Sequence, residues 1–225
     1  MRGLIHTPTA EMDTVGAARI GAHFISKEMM PKSNYFTWKD AETGERHPYN
    51  TFTYYLSLTP FRWVELSYTC VGLAKGPELA DYTSKDRHFS VKFNPLSEGK
   101  WWPSICIGAS DFMSSTLDPT NSQDFFCNFY IAGSKHLNIG SGHEIALHAA
   151  YRYYVKEYNK QFQGVVGGIT YRPAFARNMR VLFEWDGCHA NFGADALLWH
   201  HLLLQATLQN GQYFSAGLCY KVYLQ

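Results

Sequence analysis

The sequence carries little charge and no long apolar run. Asp, Glu, Lys and Arg make up 17% of its 225 residues and nearly cancel, leaving a formal net charge of +1. That balance excludes the basic footprint of a nucleic-acid binder, so no nucleic-acid partner is expected. No stretch of about 18 apolar residues occurs, which excludes a membrane-crossing helix. The five cysteines, Cys70, Cys106, Cys127, Cys188 and Cys219, stand far apart. Without a C-x₂-C pair a structural zinc site is excluded, and an odd count excludes a complete disulfide framework. Each is expected to serve as a small residue on a strand. After Met1-Arg2 the chain turns polar and carries Pro8 where an apolar signal core would lie. This leaves a cytosolic chain or one whose signal has been removed.

Aromatics, by contrast, reach 16%, with 15 Tyr and 15 Phe. Helical periodicity is nearly absent, and alternation with period two takes its place. In the last segment Phe214, Ala216, Leu218, Tyr220, Val222 and Leu224 share one face. Tyr213, Ser215, Gly217, Cys219, Lys221 and Tyr223 share the other. Such a dyad is a strand with one apolar and one largely polar face. The pattern recurs at 51–59, 63–72 and 143–156, with further candidates near 15–26, 87–95, 103–112, 124–133, 163–172, 178–187, 191–199 and 202–209. That makes about twelve strands, most near the 9–11 residues that cross a bilayer when tilted.

The connections fall into two classes. Segments 27–50, 73–86 and 113–123 are long and polar, whereas 59–62, 95–102, 173–177 and 200–201 are mostly shorter. Long loops follow odd strands and short turns follow even ones, as in outer-membrane barrels. The count closes only if His200-His201 is a turn. Alternation fits equally a soluble sandwich with its apolar face inward. Three features favour the membrane. The apolar faces are continuous and aromatic. The polar faces hold ionisable residues of both signs. Ser215-x-Gly217-x-x-Tyr220-x-Val222 resembles the C-terminal β-signal of outer-membrane barrels. The expected fold is all-β: a transmembrane antiparallel up-and-down barrel over 15–225, with a short segment, 1–14, in or under the lumen. Its expected location is the cell outer membrane, with outer-membrane lipid as its surroundings.

Several stretches also carry a family likeness. They are "GLIHTPTAEM" (3–12), "YNTFTYYLSLTPFRWVELSYTC" (49–70), "KDRHFSVKF" (85–93) and "EGKWWP" (98–103). Together they resemble the YjbH-like outer-membrane proteins, and most closely the short Bacteroidetes-type members. Leu58-Thr59-Pro60-Phe61 through Val64-Glu65 stands for the family's turn-and-strand motif, and Asp86-Arg87-His88-Phe89 for its strand start. The resemblance implies an outer-membrane barrel, and for some members a link to exopolysaccharide production or secretion. It supplies no catalytic residues.

Strand parity selects the lumen-lining candidates: Arg19, His23, Glu65, His88, Lys92, Glu144, His148, Arg152, Lys156, Glu184, Asp186, Asp195 and Lys221. Acids and bases are roughly balanced. They either pair across the lumen and fill it, or line a narrow path for a small polar or anionic solute. The stretch containing Gly3, Leu4, Ile5 and Pro8 is expected to tuck into the lumen or seal the periplasmic mouth; a loose periplasmic leader is the alternative. On the loop 27–50, Tyr35, Phe36 and Trp38 are candidates for stacking on glycan, for burial against a partner, or for folding back over the barrel. Trp63, Trp101 and Trp102 are expected in the periplasmic aromatic girdle.

No Gly-x-Ser-x-Gly elbow exists to activate Ser114 or Ser115 with His136, His143 or His148. No enzyme activity, catalytic residue, metal or cofactor is expected. "GHEIALH" (142–148) approaches a zinc-protease motif, but its histidines are five apart and fall on opposite faces of a strand. Two functions stand open: passage or export of a polar (poly)saccharide or small solute, or a non-conducting subunit bound to other envelope proteins.

Overall fold

The computed structural model describes residues 4–78, 81–82, 84–113 and 124–224, with the backbone only of 84 and 85. Twelve antiparallel strands close into a barrel. In chain order they begin with β1 (Ala17–Ile25). A short hairpin, β2 (Thr37–Lys39) and β3 (Arg46–Pro48), stands outside the barrel in the first long loop. The wall continues with β4 (Thr51–Phe61), β5 (Val64–Leu73), β6 (Ser84–Leu96), β7 (Ser104–Ser110) and β8 (Asn128–Ile139). It is completed by β9 (His143–Tyr154), β10 (Gly164–Arg172), β11 (Met179–Trp185), β12 (Ala190–Leu198), β13 (Leu202–Gln209) and β14 (Tyr213–Tyr223). Each strand pairs with its neighbour in sequence, and β1 pairs with β14 to close the ring. Closure removes the sheet edges that lipid could not satisfy.

The faces are inverted relative to a soluble protein. In β11 Arg180, Leu182 and Glu184 are buried, while Val181, Phe183 and Trp185 are exposed. In β9 His148 and Arg152 point in, and Leu147, Tyr151 and Tyr153 point out. Around the barrel the outward belt includes Ile20, Leu56, Ile107, Leu147, Phe183 and Leu218, with Ile20 61% exposed. An apolar belt of this kind around a buried polar interior is stable only in hydrocarbon. The soluble-sandwich alternative is thereby excluded. Lys135 sits among the outward positions of β8, and its Nζ reaches back to Gly99 O at 2.6 Å and Glu98 at 3.1 Å. This places its charge at the short-turn rim rather than in lipid.

The boundaries differ from the sequence expectation in several places. β4 runs through Pro60 to Phe61, with its register shifting between Leu58 and Phe61, so the turn is at 62–63 rather than 59–62. A proline is tolerated there because the irregular ladder requires no N–H from it. β8 covers 128–139 instead of 124–133, and β6 begins at 84. The hairpin in the first loop was not expected. The turn at 199–201 is present, with Trp199 and His200 in the left-handed region. Cys127 precedes β8 and Cys188 lies exposed in the turn after β11, so these two cysteines are not strand residues.

Inner glycines make room in the lumen. Gly108 lies opposite Tyr130, and Gly21 opposite Tyr55. A Cβ on Gly21 would come within 2.6 Å of the Tyr55 ring, and one on Gly108 would collide with the Tyr130 hydroxyl. Each ring therefore lies flat along the wall over a missing side chain.

Candidate functional site: the occupied lumen

The segment 4–14 runs inside the barrel from the long-loop end to the short-turn end. At the top, the fully buried Glu184 carboxylate accepts three consecutive backbone N–H groups: Ile5 at 2.7 Å, His6 at 2.9 Å and Thr7 at 2.9 Å. Asn191 Nδ2 donates to the same carboxylate at 3.1 Å. Arg152 donates to His6 O at 2.9 Å and to Phe162 O and Asp186 O, tying the segment to the loop above it. Midway, Ala10 N donates to Ser134 Oγ at 2.9 Å, Ser104 Oγ donates to Ala10 O, and Lys92 Nζ donates to Glu11 O at 2.7 Å. Lys92 also pairs with Glu65 at 3.2 Å. Lower down, Glu11 meets His136 and Arg180, and Arg180 forms a fork with Asp195, closest at 2.6 Å. At the bottom Asp13 is bound by both Arg19 and Lys221. Buried charges on this scale require such partners.

The sequence-selected residues thus take different positions. Glu65, Lys92, Arg152, Glu184, Asp195, Arg19 and Lys221 surround the segment directly or through one partner. His148 lies under it, bonded to Ser134 Oγ at 2.9 Å. His23 lies across Gly217 with its ring edge-on to Tyr55. His88 pairs with Asp86 at 3.0 Å near the long-loop mouth. Asp186 is consumed by its own turn, accepting from Cys188 N, His189 N and Asn191 Nδ2. Glu144 is half-buried at the short-turn rim and pairs with Arg172 at 2.7 Å. Lys156 is buried just after β9. Leu4 is buried and Ile5 and Pro8 half-buried within the lumen, whereas Gly3 lies outside the described residues.

The loop aromatics fold back over the mouth. Phe36 is 2% exposed and packs against Phe125, Phe126 and Tyr158. Tyr35 is exposed at the rim of that cluster, and Trp38 packs against His47 in the hairpin with the rings tilted by 33°. Trp63, Trp101 and Trp102 are exposed at the short-turn end. Of the residues considered for hydrolysis, Ser114 and Ser115 lie outside the described residues. His143 faces outward against Tyr171 while His148 faces inward, so the two histidines do not converge.

Free space follows the segment. A cavity of 340 Å³ under the loops, lined by Met29, Met30 and His88, shares Ile5, His6 and Arg152 with one of 280 Å³ below it. The latter shares Arg180, Asp195, Leu203 and Cys219 with a third, of 170 Å³, at the short-turn mouth. Arg19, Arg172, Arg177, Arg180 and Lys221 line this third cavity, with Asp195 its one acidic lining residue. Arg180, Glu11, Asp13 and Asp86 escaped the sequence selection. Arg180 and Asp86 share parity with Glu184 and His88 and were within reach of it. Glu11 and Asp13 lie outside any strand, where parity is silent.

The YjbH family model, described as exopolysaccharide biosynthesis protein YbjH, matches residues 1–225. The chain belongs to the YjbH family. No curated protein matches it in sequence. Among solved structures it is similar to an outer membrane channel from Pseudomonas putida F1, with 12% identity, 96% of this chain and 98% of that chain covered, and a TM-score of 0.45. It is also similar to outer membrane phospholipase A from Escherichia coli, with 11% identity, 92% and 95% coverage and a TM-score of 0.39. The YjbH chain described here is an outer-membrane barrel on the strength of its own closed wall and apolar belt.

Proposed function

We propose that this barrel serves the outer-membrane step of exopolysaccharide production, passing an acidic saccharide through a lumen that residues 4–14 close at rest. The observation that carries the reading is the way the segment is held. Ladder pairing closes the wall without it, and its contacts to the wall are mainly polar side-chain bonds that water or a polyol can replace. The chain of cavities alongside it suits a polar chain entering from the periplasm, and among the described residues lining the short-turn mouth Arg177 is the cation left to meet its carboxylates, Arg19, Lys221, Arg172 and Arg180 being paired with Asp13, Glu144 and Asp195. A barrel of twelve strands is wide enough for such a path only once the segment moves.

Planar-bilayer recordings test this. The intact protein is expected to show low conductance, and deletion of residues 4–14 to open a stable pore. Oligogalacturonate added at the periplasmic side is expected to block that pore, and Arg177→Gln to weaken the block. A deletion variant that folds but stays closed would overturn the reading. It would favour the second one, a non-conducting subunit of an envelope complex, for which the buried pairs Glu65–Lys92 and Arg180–Asp195 speak. Recovery of a stoichiometric envelope protein from native membranes would then be expected. The reading is of a passive barrel, and labelling by a serine-reactive fluorophosphonate would contradict that.

A further inference from the structure

Beneath the long loops, apart from the lumen contacts of residues 4–14, lies a cluster of buried acids. Asp86 and His88 are two apart on β6 and so share its inner face. Asp111 directly follows β7 and takes a left-handed backbone with φ of 54°. It is held by its N–H on Phe89 O at 2.8 Å. One ligand atom from each of Asp86, His88 and Asp111 lies within 4.8 Å of the others, and all three residues are buried. Ligands on opposite sides of one divalent ion stand roughly 4–5 Å apart, so this spread fits a single ion.

A second observation comes from the other end of the same loop. Asp124 is fully buried, and neither of its carboxylate oxygens has a hydrogen-bond partner. It lies close enough to Asp111 to act on it electrostatically. The Asp111 carboxylate accepts the Phe126 N–H at 2.9 Å, two residues beyond Asp124. Three buried carboxylates thus lie near one another at the edge of the upper cavity. Among the described residues their one ion pair is Asp86 with His88. Buried charge without a counter-charge is strongly unfavourable, and an unbonded buried carboxylate is rare.

We propose that Asp86, His88 and Asp111 bind one divalent metal ion, with the Asp124 carboxylate as a further negative charge beside it, so that the ion ties the end of β7 to the wall of β6. Carboxylates accept Ca²⁺ and Mn²⁺, and the imidazole extends the choice to Zn²⁺. No spacing motif announces the site, because its ligands come from one strand and from the residue that follows the neighbouring strand.

The test uses the full chain in detergent, stripped with chelator and then titrated separately with Zn²⁺, Mn²⁺ and Ca²⁺. At least one of these is expected to bind at one equivalent per chain, raise the unfolding temperature and slow hydrogen exchange over residues 124–128. Asp124→Asn leaves the strand ladder untouched. It is expected to weaken metal binding and reduce the metal-induced shift while making the metal-free protein more stable, since it removes a buried carboxylate without a hydrogen-bond partner. Glu157→Gln, at an exposed carboxylate, is the control and should leave binding unchanged. Binding that survives Asp124→Asn together with Asp111→Asn, or no response to any of the three ions, would overturn the proposal.

Discussion

Removing the Glu184 side chain should release the upper half of the lumen segment. Its carboxylate takes the N–H groups of Ile5, His6 and Thr7 at 2.7 to 2.9 Å in a site with no solvent exposure. Hydrogen bonds to a charged acceptor contribute about 1.5–3 kcal/mol each. Three sum to more than the net effect, because burying the carboxylate is itself unfavourable. Glu184→Ala is therefore expected to weaken docking by roughly 3–6 kcal/mol. At about 1.4 kcal/mol per decade, the undocked population rises by roughly a hundredfold or more. The amides of residues 5–7 would report only the lost bonds. The informative probe is the Ala10 amide, bonded to Ser134 Oγ three residues beyond Thr7. Its hydrogen exchange should accelerate in step with undocking, and single-channel openings should become more frequent. Glu184→Gln, which keeps one acceptor oxygen, should fall between. If Ala10 exchange and conductance both match the wild type in a folded Glu184→Ala barrel, the segment is not held as argued.

Three further outcomes follow from the wall. Lys92→Met removes the ion pair with Glu65, both side chains of which are 2% exposed, together with the Nζ bond to Glu11 O; a loss of about 1.5–3 kcal/mol is expected in urea unfolding. Gly108→Val would displace the Tyr130 ring into the space of residues 8–10, lowering stability by about 1–3 kcal/mol and exposing the segment to protease. Leu56→Arg, at the centre of β4 on the lipid face, should cost about 2–4 kcal/mol in folding into bilayers, whereas the same change at the rim residue Phe61 should cost less.

The two-residue period was readable along the chain because it is local. Leu147 and His148 must point oppositely whatever surrounds them. The number of strands, the alternation of long and short connections and the turn at His200-His201 followed from that period and from turn chemistry. Boundaries were less legible. The register shift near Pro60 and the late start of β8 depend on the neighbouring strand, which the local pattern does not contain.

The sequence by itself determined which residues share a face, and the family motifs pointed to a membrane barrel. Only the tertiary structure decided the interior. Alternation is symmetric between inside and outside, and it is closure of β1 on β14 that turns the ionisable face inward. The path of residues 4–14 is likewise invisible locally, since a segment without period is placed only by what it meets: Glu184 at one end, Arg19 and Lys221 at the other. The same holds for Asp86, Asp111 and Asp124. Their charges act through space, and the pairing of β6 with β7 sets Asp111 beside Asp86, which the chain keeps far apart.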